Sequence, residues 1–182
     1  MSIATQRLTA EEYAQLPDSG CPTELVRGQV ITMNPPRSRH GQVCANVCFL
    51  LQRFARDHDV GHVLSNDSGV ITERDPDTVR GADIAYYSYA KVPKGRLHGY
   101  LPVPPDVVIE VLSPDDRPGR VAAKVQEYLT VGVTTVVVID PDEDRVFVYQ
   151  AGQSSLELGS ADRLRLPAIA PDFEVPVSAL FD

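Results

Sequence analysis

Cysteine is scarce in this sequence: Cys21, Cys44 and Cys48 are the three present, and none forms a CxxC pair. The odd count argues against a disulfide framework, and the missing pair argues against a thiolate zinc site, so a reducing cytoplasm is the expected compartment. Long apolar runs are missing as well. No segment approaches the ~18 apolar residues of a membrane span, and Met1 to Ala10 lacks the charged start and apolar stretch of an export signal. Basic residues are outnumbered, 17 Lys and Arg against 25 Asp and Glu, for a net charge of −8. This balance excludes a histone-like or membrane-surface protein, but a nucleic-acid enzyme with a local basic strip stays open. Internal repeats, low-complexity tracts and linkers are also lacking.

What is present suits one globular domain. The chain has 182 residues, 43% hydrophobic and 23% charged, and at about 100–200 residues per domain it holds one sizeable core. A single α/β domain over 1–182 is expected, with its core at about 9–150.

Thr9-Ala10-Glu11-Glu12 has capping-box spacing and predicts a short helix ending near Pro17. Glu24–Val26 and Val30–Met33 flank Arg27-Gly28-Gln29 and read as a hairpin, ended by Pro35-Pro36. From Ser38, Val43, Val47, Leu50, Leu51 and Phe54 recur at helical spacing as far as about Asp57. Cys44 and Cys48 lie on that helix, where two small apolar thiols read as packing residues. Strand-like runs follow at 62–64 with 69–72, at 84–87 and at 107–112. Val121, Val125, Tyr128 and Leu129 mark a helix closed by Gly132, and Thr134–Ile139 is a buried strand paired with Arg145–Tyr149. Between those two strands, Asp140-Pro141-Asp142-Glu143-Asp144 reads as a polar hairpin turn, without EF-hand spacing. The tail from Pro167 shows no clear periodicity.

The most informative residue is Glu110, the one carboxylate in the run Val107-Val108-Ile109-Glu110-Val111-Leu112. A charge in a central strand costs several kcal/mol to desolvate, so a cation or donors should compensate it. Asp83 stands before another strand, and if the two strands are neighbours the carboxylates meet. Hard oxygen donors at one sheet edge suit Mg2+ or Mn2+. Lys124 flanks the apolar stripe of the later helix and can point toward the sheet. A buried ion-pair network fits the same trio, and spacing does not separate the two readings.

Asp106 through Pro114, then Lys124, Tyr128 and Gly132, then Val138-Ile139-Asp140-Pro141, resemble the Uma-type (Uma-two) family of restriction-endonuclease-like proteins, within the PD-(D/E)xK nuclease superfamily. Tyr13, the Glu24-Leu25-Val26-Arg27-Gly28 hairpin, His40 and Ala82-Asp83-Ile84-Ala85 extend the resemblance over nearly the whole chain. It implies a restriction-endonuclease-like fold, a mixed central sheet flanked by helices with an N-terminal helix and hairpin. It also implies Asp83 and Glu110 as metal-binding carboxylates, Glu24 as a further acidic member and Lys124 as the catalytic lysine. Ala82 replaces the pattern's proline, and Leu112 stands where the superfamily lysine would, so the lysine comes from the following helix. The implied function is Mg2+- or Mn2+-dependent phosphodiester hydrolysis, on DNA, by a homodimer.

His40, beside Arg37 and Arg39, reads as a solvated loop histidine, with phosphate contact as the alternative. Lys91, Lys94 and Arg96 form the candidate basic strip; a solvated loop is the plainer reading, a nucleic-acid contact the other. Two rivals to an enzyme stand: an inactive nucleic-acid-binding or regulatory module on the same fold, and a structural protein whose acids form only ion pairs.

Overall fold

The computed structural model describes residues 7–182; the first six residues of the stretch read as lacking an export signal lie outside it. A mixed sheet runs through the centre, in the order β2-β1-β4-β5-β6-β7-β8, with β3 also paired to β4. Its strands are β1 (Thr23–Val26), β2 (Gln29–Thr32), β3 (Gly61–Glu73), β4 (Thr78–Ser88), β5 (Val107–Val111), β6 (Thr135–Asp140), β7 (Arg145–Tyr149) and β8 (Leu156–Leu158). Helix α1 (Ala10–Tyr13) opens the chain, α2 (Ser38–His58) follows the hairpin and α3 (Pro118–Val131) joins β5 to β6. Those two strands are parallel, as a helical crossover requires, and the other described pairs are antiparallel. No helix among the described residues is long and apolar enough to cross a membrane.

Period-two alternation assigns the faces. Val107, Ile109 and Val111 of β5 and Val137 and Ile139 of β6 pack with Val43, Val47, Leu51 and Ala55 of α2. Val108, Val136 and Val138 pack on the other face with Val125 and Tyr128 of α3. Alternation therefore turns Glu110 toward α3. α1 starts at its capping signal but stops at Tyr13, four residues short of Pro17, while α2 and α3 end where their signals stand. Thr9 and Glu12 form the reciprocal capping box, and Gly132 ends α3 at φ 103°, a left-handed value suited to glycine. The hairpin turn is tighter than the sequence suggests: Arg27 and Gly28 alone make it, with φ 50° and 78°.

The strand read at 84–87 is longer than expected, running from Thr78 to Ser88 as β4 with Asp83 inside it, and two further regions differ from the sequence reading. The pieces at 62–64 and 69–72 are one strand, β3, interrupted by a bulge in which Asn66 and Asp67 take φ 66° and 53°. Polar Ser65-Asn66-Asp67-Ser68 hides the continuity, and Asn and Asp tolerate that backbone. The tail also packs. β9 (Arg163–Arg165) pairs with β10 (Glu174–Pro176), and a 3-10 turn (Val177–Leu180) follows. Leu164, Leu166, Phe173, Val177 and Leu180 join the core beneath α2, so the packed interior continues beyond residue 150.

The short α1 is tied down by Asp77, whose Oδ2 accepts from the Ala10 amide (2.7 Å) and from Arg74 Nη1 (2.7 Å), while Oδ1 accepts from the Asp75 amide (3.2 Å). Burial opposes its charge, yet these amide and guanidinium donors prevail and hold the carboxyl below its ordinary 3.8. Asp77→Asn is expected to destabilise the fold by about 1–3 kcal/mol. Because the folded pKa is lowered, this stabilisation is complete above about pH 4 and vanishes as the pH falls through the folded value. Urea midpoints of both proteins across that range should converge at the acid end.

Candidate active site

β4 is longer than β1 and β5, which share one of its edges: β1 meets it at Val79, and β5 from Ile84 onward. Between these contacts the edge lies open, and unpaired backbone groups there need partners. Side chains supply them. The Gly81 amide donates to Glu24 Oε1 (3.1 Å), and Gly81 O accepts from Lys124 Nζ (2.9 Å). On the β5 side, beyond the last pair Ile84–Ile109, the Val111 amide two residues on donates to Oδ2 of Asp83, the residue before Ile84 (2.7 Å). Asp83 thus sits within β4, at the mouth of the gap.

Into this gap α3 projects Lys124. Its ammonium bonds Glu110 Oε2 (2.8 Å), lies 3.2 Å from Glu24 Oε1 and donates to Gly81 O, so all three protons are used. Tyr128, one turn on, donates to Glu110 Oε1 at 2.8 Å. Burial works against the ammonium, but Glu110 and Glu24 outweigh it and hold the Lys124 pKa above its usual value. Burial pushes Glu110 up to about 7, with Lys124 pulling the other way and Asp83 adding to the rise. Glu24 is anchored a second time by Arg80 Nη1 (2.8 Å), and Arg80 also grips Glu127 through Nε (2.6 Å) and Nη2 (2.7 Å).

The four expected acid and lysine positions, Glu24, Asp83, Glu110 and Lys124, therefore line one cavity of about 680 Å³ with Asp67 and Arg120. Asp67, displayed by the β3 bulge, is raised in pKa by burial and then by the Asp83 charge. Seven carboxylates line the cavity (Asp18, Glu24, Asp67, Asp83, Glu110, Asp115 and Asp116), against the cations Lys124, Arg37 and Arg120. That excess makes the oxygen donors of Asp83 and Glu110 a fitting set for a hard divalent cation.

His40 corrects the reading of a solvated loop histidine. It is buried in the first turn of α2, with Nε2 3.3 Å from Asp83 Oδ2, and that bond raises its pKa against the effect of burial. Its neighbour Arg39 is spent on Asp144 and the Phe181 carbonyl, and Arg37 on Asp115. Cys44, one turn further along α2, brings Sγ to 3.5 Å from His40 Nδ1.

The structure does not bring the basic strip to this cavity. Lys91 pairs with Asp106 (3.0 Å), four residues before Glu110 and hence about 13 Å away along β5. Lys94 pairs with Asp59, and Arg96 is exposed. Basic side chains near the cavity are Arg37, Lys124 and Arg120 instead. Asp67, Arg80 and Glu127 are the site residues the sequence does not single out. The polar break at 65–68 inside an alternating strand is the signal for Asp67; Arg80 and Glu127 carry none. The acidic run is a turn, with Asp140 Oδ1 accepting from the Asp142 and Glu143 amides.

Residues 10–178 match the sequence model of the Uma2 family, described as "Putative restriction endonuclease". The chain belongs to the Uma2 family. No curated protein matches it. Among solved structures it is similar to a chain titled "putative nuclease belonging to DUF820" from Anabaena variabilis, at 22% identity and a TM-score of 0.83, with 96% of this chain and 97% of that one covered. This Uma2 protein thus has the restriction-endonuclease-like mixed α/β fold, and its cavity lies where β4 is left open.

Proposed function

We propose that this Uma2 protein hydrolyses phosphodiester bonds of DNA with the help of Mg2+ or Mn2+. The observation that carries this reading is the convergence of Asp83 and Glu110 with a triply bonded Lys124 in one electronegative cavity. When bound by Asp83 and Glu110, the cation supplies Lewis-acid polarisation of the scissile phosphate and of the attacking water.

The protein's own groups do the rest. Lys124 stays protonated between Glu24 and Glu110, so it cannot serve as a base. It acts as a fixed positive charge beside the phosphate, where negative charge grows in the transition state. Tyr128 and Lys124 hold one oxygen of Glu110 each and fix the carboxylate's plane. The Val111 amide does the same for Asp83. Arg120, exposed at the cavity rim, offers a phosphate contact along the backbone. A homodimer would present two such centres to the two strands of a duplex.

The test is cleavage of supercoiled plasmid, linear duplex, single-stranded DNA and RNA with Mg2+ or Mn2+, against an EDTA control. The wild type is expected to cut DNA, and Asp83→Asn and Glu110→Gln to lose cutting while keeping their folded spectra. Cutting that survives in either variant would sink the assignment. Cutting of nothing, with DNA still bound, would favour the inactive binding module.

A further inference from the structure

We propose that His40, Cys44 and Asp83 form a second, softer metal site, selective for zinc-like transition ions, whose occupation withdraws Asp83 from the hydrolytic centre and inhibits it. The inhibition rests on the nuclease reading above; the metal site stands without it.

The donors come from two elements. His40 and Cys44 are four apart on α2 and so share one helix face. β4 brings Asp83 against that face. One ligand atom from each of the three lies within 4.8 Å of the others, and this is the group so placed among the described residues. His40 Nε2 is 3.3 Å from Asp83 Oδ2 and 4.0 Å from Cys44 Sγ, while Nδ1 is 3.5 Å from the sulfur. Tetrahedral zinc, with bonds of about 2.0–2.2 Å to nitrogen and oxygen and about 2.3 Å to sulfur, places its ligands roughly 3.3–3.6 Å apart. Through Nε2 the His40–Asp83 gap already has that size, while the sulfur at 4.0 Å, and within 4.8 Å of the Asp83 oxygen, closes on the ion by a small turn of the Cys44 side chain.

The surroundings supply an entrance and a fourth position. All three residues line a cavity of about 640 Å³, and Asp67 lies on the same wall to give an oxygen ligand or to hold a water. The chemistry differs from that of the hydrolytic centre. Imidazole and thiolate favour zinc, cobalt and nickel, whereas Mg2+ prefers the all-oxygen pair Asp83 and Glu110. Asp83 is common to both, so the two ions compete for it.

Binding is balanced by proton release alone. The Cys44 S–H bond breaks, an S–metal bond forms and the proton passes to buffer, followed by a second proton from any His40 that is doubly protonated. Burial, then the Asp83 charge, keeps the thiol protonated in the absence of a metal, and the charge of the ion reverses that preference. Cys44, read from sequence as a packing residue, thereby gains a ligand's role, while Cys48 does not join the group.

Cobalt titration of the full-length protein provides the direct test. Wild type and Cys48→Ser are expected to bind one Co2+ with an intense thiolate-to-cobalt charge-transfer band that Zn2+ then abolishes. Cys44→Ser and His40→Ala, shown folded by circular dichroism, should lose the band. In cleavage assays with Mg2+, the Zn2+ concentration giving half inhibition should rise at least about tenfold in Cys44→Ser, the smallest cost of losing even an outer partner of a metal. Its cleavage without zinc should match wild type. A band that persists in Cys44→Ser, or no band in wild type, overturns the site. An unchanged half-inhibiting concentration overturns the competition. If wild type cuts no substrate, the nuclease reading fails, and the cobalt band still decides the site.

Discussion

Lys124→Met is expected to lower DNA cleavage by about 10²- to 10³-fold, the range found when one preorganised donor to a developing negative charge is removed. The side chain's stem is preserved, so packing along α3 changes little, and the ammonium alone is deleted. Three acceptors then lose a partner: Glu110 Oε2, Glu24 Oε1 and the Gly81 carbonyl. Glu24 keeps Arg80, but Glu110 keeps only Tyr128. An uncompensated buried carboxylate takes up a proton in preference to staying charged, so the variant should fold with Glu110 neutral.

The pH dependence follows from the sign of that shift. Glu110 already lies at about 7, above its ordinary 4.5, because burial outweighs the pull of Lys124. Its proton is bound more tightly in the folded chain, so its contribution to stability falls as the pH rises from about 4.5 through 7. Without the ammonium the folded value climbs further, and the fall becomes larger and extends to higher pH. Thermal melts of Lys124→Met and wild type should therefore diverge as the pH is raised. Arginine at this position should not restore cleavage, since a planar fork cannot direct three donors to these three acceptors. Wild-type rates in Lys124→Met would remove the lysine from the mechanism.

The core of this site was legible because one residue broke a pattern. Glu110 is a charge inside an apolar run, and burying it demands a partner, which led to Lys124 on the following helix face. Asp83 followed from the neighbouring strand. Helix ends were legible from short-range chemistry, the Thr9–Glu12 box and Gly132, which act within a few residues and need no tertiary context. What was hidden depends on pairing between distant segments. The gap along β4 arises because β1 leaves it at Val79 and β5 joins only at Ile84, and no local sequence encodes that offset. His40 looked like a loop residue because its partner is 43 positions away. The tail lacked periodicity because its short pieces each bury one or two side chains against α2.

Arg80 shows the same dependence, and its removal should have the largest effect on stability. Its guanidinium reaches Glu127 with two donors and Glu24 with a third, and its side chain is 15% exposed. Burial disfavours the charge, but Glu127 and Glu24 more than offset it and raise the pKa. Arg80→Ala leaves Glu24, 6% exposed, with Lys124 and the Gly81 amide only, and leaves Glu127 with only the long bond from the Thr72 hydroxyl. Breaking a buried pair from one side costs about 3–5 kcal/mol. Since Glu127 is 32% exposed and can turn to water, a value near the lower end, about 3 kcal/mol, is expected. Urea denaturation measures it. Arg80→Lys should recover only part, because one ammonium cannot span both carboxylates. A double-mutant cycle with Glu127→Ala should give a coupling of about 0.5–3 kcal/mol, whereas strict additivity would deny the pair any role. Cleavage should fall as well, because a Glu24 freed from Arg80 competes with Glu110 for Lys124 and draws the ammonium away from the phosphate. On the proposed reading Arg80 positions the Lys124 ammonium through Glu24, and a variant that lost stability but kept full activity would separate the two effects.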